Sequence, residues 1–222
     1  MLNAHGEPFP ALSPGIPTRP AESMRVSSLH ALLRDATRES HHLIDHHPLM
    51  APLVRSDLSR AGYLRALRGL LWIHEALQEE LAAAMSGMAD TFVLADRVDW
   101  LRNDLKALGA TASFTSTRWQ APSLANAAEL VGALYVVEGS TLGGQVIARR
   151  VEASLGLEPA TGLLFFNGWG SETVQHWQAF WRFADAACGP AHDEAAASAV
   201  RLFAALNQAF DLAATLQQAT DQ

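Results

Sequence analysis

The chain has 222 residues, 49% of them hydrophobic, with a formal net charge of -7 and a pI near 5.7. That is enough apolar material for one sizeable core, and the acidic balance excludes nonspecific nucleic-acid binding, which needs a basic face. The single cysteine, Cys188, excludes an internal disulfide and fits a reducing compartment.

Residues 1–25 carry Pro8, Pro10, Pro14, Pro17 and Pro20 and read as a flexible tail. They lack the basic start and apolar run of a secretory signal, and no later run reads as long enough to span a bilayer. The expectation is a cytoplasmic protein with no membrane partner, folded over 26–222 from a start near Met24 or Ser27. From there the periodicity is helical. Ser27 or Ser28 can cap a first helix to about Asp45, with Leu29, Leu32, Leu33, Ala36 and Leu43 on its inner face. Pro48 and Pro52 mark a loop. Asp57 or Ser59 can open a long helix to about Ala84, and Asp96–Leu108 fits another, ended by Gly109. Residues 110–121 are polar and loop-like. Ser123 is read as the cap of a helix closed by Gly156. A helix at roughly Ser171–Ala187 and a last one from about His192 to Leu216 complete an all-α single domain of six or seven helices.

The stretch VGALYVVEGSTLGGQVIARR (131–150) stands out because Gly132, Gly139, Gly143 and Gly144 lie inside a helix. Each interior glycine costs roughly 1 kcal/mol relative to alanine. At about 100° per residue, Gly132, Gly139 and Gly143 share one stripe. A bare stripe admits a flat ligand close to the helix axis, and it equally suits tight helix packing.

The first helix ends in SHHLIDHH. His41 falls at the edge of its buried face, where a neutral imidazole is a natural axial ligand for heme iron, a core histidine bonded to a carbonyl, or a solvated histidine. His42 and His46, spaced i, i+4 with Asp45 near, offer a weaker site for a divalent metal. Di-iron bundles need paired Glu-x-x-His repeats, and only Glu39–His42 has that spacing. No nucleophile elbow or phosphate-binding glycine loop is present.

Together, RDATRESHHLID (Arg34–Asp45) and YVVEGSTLGGQVIARR (Tyr135–Arg150) resemble the heme oxygenase family, most closely its bacterial, phytochrome-associated branch. The similarity extends over about residues 26–215. It implies an all-α, single-domain multi-helix bundle that sandwiches heme between a proximal and a distal helix. The implied reaction oxidises heme with O2 and electrons to biliverdin, CO and free iron, opening the ring at the alpha position. An external donor, a ferredoxin or a flavoprotein reductase, would supply the electrons, and a bacteriophytochrome would receive the product. By motif position the resemblance makes His41 the proximal iron ligand and Gly139 and Gly143 the distal glycines. Ser140 stands where many relatives carry an aspartate, and His74 stands where some carry a tyrosine, so these two would order the distal waters. Arg34 and Arg182 would meet the heme propionates, with Gln178 in place of an accompanying family lysine. Tyr135 joins the heme-binding set. Phe165, Phe166, Trp177 and Phe180 are candidates to line the pocket. The missing aspartate leaves a second expectation open, a non-catalytic heme-binding or storage protein on the same fold.

Overall fold

The computed structural model describes residues 28–88, 92–112 and 115–220. The expected tail over 1–25, the domain start near Met24 or Ser27 and the Ser27 cap lie outside the described residues. Among the described residues every regular element is helical. They are α1 (Ser28–Asp45), α2 (Arg60–Met85), α3 (Arg97–Ala107), α4 (Ala127–Leu155), α5 (Leu164–Asn167), α6 (Thr173–Cys188) and α7 (His192–Thr220), with 3-10 turns at Ala51–Val54, Pro159–Thr161 and Gly170–Glu172.

Side-chain caps set several boundaries. The Ser59 hydroxyl accepts from the Gly62 amide, and the Asp96 carboxylate accepts from Asp99. Asn126, not the expected Ser123, caps α4 by accepting from Glu129. The Glu129 carboxylate accepts in turn from Ala125, so the first turn of α4 is closed from both sides. Gly156, left-handed at φ 65°, ends α4 as expected. The four-residue α5 was not foreseen in the sequence. The buried Asp104 carboxylate accepts from the Leu164 and Phe165 amides at 2.7 and 2.8 Å, supplying from α3 the cap that α5 lacks locally. Burial pushes the Asp104 carboxyl up to about 6, despite these two donors.

By length and composition α4 could cross a bilayer, contrary to the reading that no run is long enough. More than half of its most apolar window is buried in the domain, packed on α7 and α6, and its apolarity is that of a central core helix. Two cores form along it. One gathers α2, α3, α5 and the later halves of α4 and α7; the other gathers α1, α6 and the earlier halves of α4 and α7. On α1, Leu29 and Leu33 are buried as expected, but Ala36 and Leu43 are exposed. The repeat overreaches toward the C-terminal end, where the helix faces open space instead of core.

Candidate active site

Between the two cores lies a cavity of about 520 Å³, within the size range of small-molecule and cofactor pockets. It is lined by residues of α1, α2, α4, α5, α6 and α7, mostly apolar, with Arg97 at the start of α3. His41, His74, Tyr135, Gly139, Ser140 and Gly143 all line it, as do Phe165, Phe166 and Trp177. Phe180 does not. It is fully buried in the second core, stacked on Trp177 at 5.1 Å.

His41 is neither a packed core histidine nor bonded to a carbonyl; it is a largely solvated imidazole at the cavity edge. Its side chain is 60% accessible, and its Nδ1 lies 3.0 Å from Asp45 Oδ2, one helical turn on. The carboxylate can only accept, so Nδ1 donates to it and Nε2 is the ring nitrogen left to face a ligand. His42 and His46 stack on each other at 4.1 Å, and His46 Nδ1 donates to the His42 carbonyl. Among the described residues no group of three metal-ligating side chains forms, so the expected alternative there lacks a third ligand.

The α4 glycines divide into two pairs, not along the stripe read from the sequence. A Cβ on Gly132 would sit 2.0 Å from the Ala195 carbonyl oxygen, and one on Gly144 would sit 3.0 Å from the Phe166 carbonyl oxygen. These two let α7 and α5 approach α4. A Cβ on Gly139 would meet only the Trp177 ring at 3.7 Å, and one on Gly143 would meet nothing within 4 Å. These two leave space in the cavity wall. The size and apolar lining of the cavity, with an imidazole in its wall, fit a largely apolar ligand that can take a nitrogen donor.

His74 is buried at 8% exposure and packs edge-on against Phe165 at 5.3 Å. Burial, aided by the Arg97 charge and opposed by Glu138, pulls it down to about 3, so it is neutral, with one nitrogen that donates and one that accepts. No described residue hydrogen-bonds to its ring. The Ser140 hydroxyl donates to the Val137 carbonyl of its own helix at 2.7 Å, leaving only its lone pairs for the cavity. Burial raises the Tyr135 phenol, beside Thr37 and Arg34. Neither Arg34 nor Arg182 lines the cavity. Arg34 is exposed and paired with Asp35, near the lining residues His30 and Tyr135. Arg182 is exposed on α6.

Sequence reasoning missed a buried charge cluster behind the glycines. Arg97 grips both oxygens of Glu138, Nη1 to Oε1 at 3.1 Å and Nη2 to Oε2 at 2.9 Å. His176 Nε2 donates to Oε2 at 3.0 Å. The Glu138 side chain is fully enclosed and that of Arg97 is 4% accessible. Burial alone would raise the Glu138 carboxyl, but Arg97 and His176 outweigh it and hold it below the usual range. At about 100° per residue, Glu138 points well away from its neighbour Gly139 on the helix. On that side lies a partner set from two other helices, α3 and α6. Only a carboxylate inside an apolar run hinted at it.

A family model described as heme oxygenase matches residues 27–218. No curated protein matches the chain in sequence. Among solved structures it is similar to a heme oxygenase from Leptospira interrogans, at 19% identity and TM-score 0.64, covering 84% of this chain and 100% of that one. The NO- and CO-bound heme oxygenase from Neisseria meningitidis aligns at 24% identity and TM-score 0.60, over 86% and 91% of the two chains. Heme oxygenase-1 from the cyanobacterium Synechocystis, in complex with heme, aligns at 17% identity and TM-score 0.61, over 87% and 96%. At these identities the likeness establishes the shared fold.

Proposed function

The chain belongs to the heme oxygenase family of heme-degrading oxidoreductases, and from that premise we propose that it oxidises heme with O2 and donated electrons to biliverdin, CO and free iron. The observation that carries this reading is one cavity with an imidazole on one wall, His41, and the side-chain-free backbone of Gly139 and Gly143 in another.

Heme, when bound, supplies the iron at which O2 is reduced and the porphyrin carbon that is oxidised. The protein's part is to bind, orient and deliver protons. His41 offers Nε2 to the iron, with its tautomer and ring orientation held by Asp45. Gly139 and Gly143 keep their wall of the cavity free of side chains, so that a ligand face and a few waters fit beside α4. His74, kept neutral by its burial, both donates and accepts at the cavity wall, and so can hold a water chain without carrying charge. Ser140 contributes only an acceptor, which makes His74 the main organiser of that water. Arg34, exposed beside the lining residues His30 and Tyr135, can meet a propionate at the cavity mouth, whose planar carboxylate suits a guanidinium. Arg182, exposed on α6 and outside the cavity lining, would have to reach its propionate from the surface. Propionate anchoring fixes the rotation of the ring, and with it opening at the alpha carbon to give biliverdin IX-alpha. Electrons come from a ferredoxin or a flavoprotein reductase, and the bilin passes to a bacteriophytochrome, as the motif resemblance implies.

The test is to add heme and then ascorbate or a reductase. Decay of the Soret band with growth of biliverdin absorbance is expected, and isomer analysis should return the alpha product. A Soret band that persists under reductant and air would sink the oxygenase reading. It would favour a heme-binding or storage role, which the substitution of Ser140 for an aspartate already makes a specific alternative.

A further inference from the structure

The Arg97–Glu138–His176 cluster touches the cavity through Arg97, whose charge helps keep His74 neutral, but Glu138 and His176 do not line it, and the cluster buries charged groups at a cost. Desolvating an ion pair costs several kcal/mol per ion, and well-packed apolar replacements are often no less stable. Stability is therefore a poor reason for it.

Its placement suggests another. Glu138 immediately precedes Gly139, in a helix weakened by glycine. Two carbonyls of this turn are drawn onto side chains. The Val137 carbonyl accepts from the Ser140 hydroxyl at 2.7 Å and from Arg97 Nη2 at 3.3 Å, and the Glu138 carbonyl accepts from the Thr141 hydroxyl at 2.5 Å. Hydroxyl back-bonding of this kind loosens a helix and lets it bend. Arg97, from the first position of α3, thus holds both the Glu138 side chain and the preceding peptide. On the other side His176 is itself clamped, stacked on Trp169 at 4.3 Å and against Phe92 at 4.9 Å. The next residue, Trp177, is the one that a side chain on Gly139 would touch. This glycine-containing turn of α4 is gripped from both flanks by groups that resist sliding, because a bidentate guanidinium pair tolerates little displacement.

We propose that Arg97 and His176 are positioning residues: through Glu138 they fix the height of the Gly139–Gly143 backbone against the cavity, and so the gap available to the ligand and its waters. This rests on the heme oxygenase reading for what the gap does, but not for the positioning itself.

The test uses the full chain with and without heme. The singles Arg97→Met and Glu138→Gln should each lower the melting temperature, because one charge is left buried without its partner. The double Arg97→Met/Glu138→Leu should recover most of that loss. In the heme-free double variant the amide resonances of Gly139 and Gly143, read with 15N-glycine, should nevertheless shift or broaden. After loading, heme affinity should stay within about threefold and turnover should remain at least tenfold below wild type. Arg97→Lys, which keeps the charge and loses the fork, serves if the double variant does not fold, with the same glycine shifts and an intermediate turnover expected. A double or Lys variant whose glycine signals match wild type overturns the proposal, and so does one whose turnover does. The glycine signals need no heme, so they decide the positioning even if wild type proves not to degrade heme.

Discussion

At His41 the decisive feature is its partner. An imidazole that is 60% accessible would rotate freely, but the Asp45 carboxylate one turn on fixes which nitrogen is protonated and where the other points. Asp45→Ala should weaken heme binding by about 10- to 100-fold, the usual effect of removing such a support. A Soret titration measures this, and an unchanged affinity would show the pair to be incidental. His74 makes a different prediction. Burial and Arg97 hold it down at about 3, against about 6.5 in an unfolded chain. Between those values the unfolded chain binds a proton that the folded chain refuses. Stability contributed by neutral His74 is present above pH 6.5 and is lost as pH falls through the window. His74→Phe should therefore flatten the melting temperature against pH from about 6.5 downward, measured on heme-free protein. The same acid slope in the variant would mean that other groups carry it. In the sequence His74 drew notice only through family resemblance, since a histidine in a long amphipathic helix reads as a surface residue.

The α4 helix shows how far periodicity can be pushed. Its existence, its end at Gly156 and its interior glycines were all legible from local chemistry. What the glycines do was not, because angle on a helix says nothing about what stands opposite. Gly132 meets the Ala195 carbonyl and Gly143 meets open space, though both fall on one stripe. Opposite consequences follow for the same substitution. Gly132→Ala should cost on the order of 1–3 kcal/mol, since backbone must move to admit the methyl group. Gly143→Ala should raise heme-free stability by up to about 1 kcal/mol through helix propensity, while crowding the ligand face and slowing turnover. Thermal melts and the biliverdin assay on the two variants check both halves. If Gly143→Ala melts below wild type, the space seen beside it is not real. The four-residue α5 and the start of α4 at Asn126 escaped the sequence for a related reason. The α5 cap comes from Asp104, some sixty residues earlier in the chain, and hydrophobic period needs more than one turn to register.

Across the whole molecule the cavity lies where the two cores meet, touching Leu70, Phe166 and Phe210 of one and Leu77, Val136 and Phe203 of the other. A ligand that fills this seam supplies the contacts that the cores cannot make to each other. Heme at about 100 times its dissociation constant should add roughly 2.7 kcal/mol. For a chain of this size that is a rise in melting temperature of about 5–10 °C. His41→Ala should remove much of this rise while leaving the heme-free value near wild type, and an equal rise in the variant would take the iron ligand away from His41. The all-α class and the two motif segments were readable, because caps, periods and short motifs are local. The Arg97–Glu138–His176 cluster was not, because its members come from three helices and each alone looks like an ordinary polar residue.

One asymmetry in the walls has a kinetic side. The backbone of α1 leans chiefly on α7, with a clasp just beyond its end where buried His47 donates to Asp211, whereas α4 is wedged between α6 and α7. Of the two faces that would hold a flat guest, the one bearing His41 is the less encased, because beyond Leu33 and Thr37 the end of α1 is largely exposed. Entry of a rigid disc and departure of a severed, floppy tetrapyrrole would then share one door. Amide hydrogen exchange should find α1 opening faster than α4, and His47→Ala should quicken both exchange in α1 and release of the bilin.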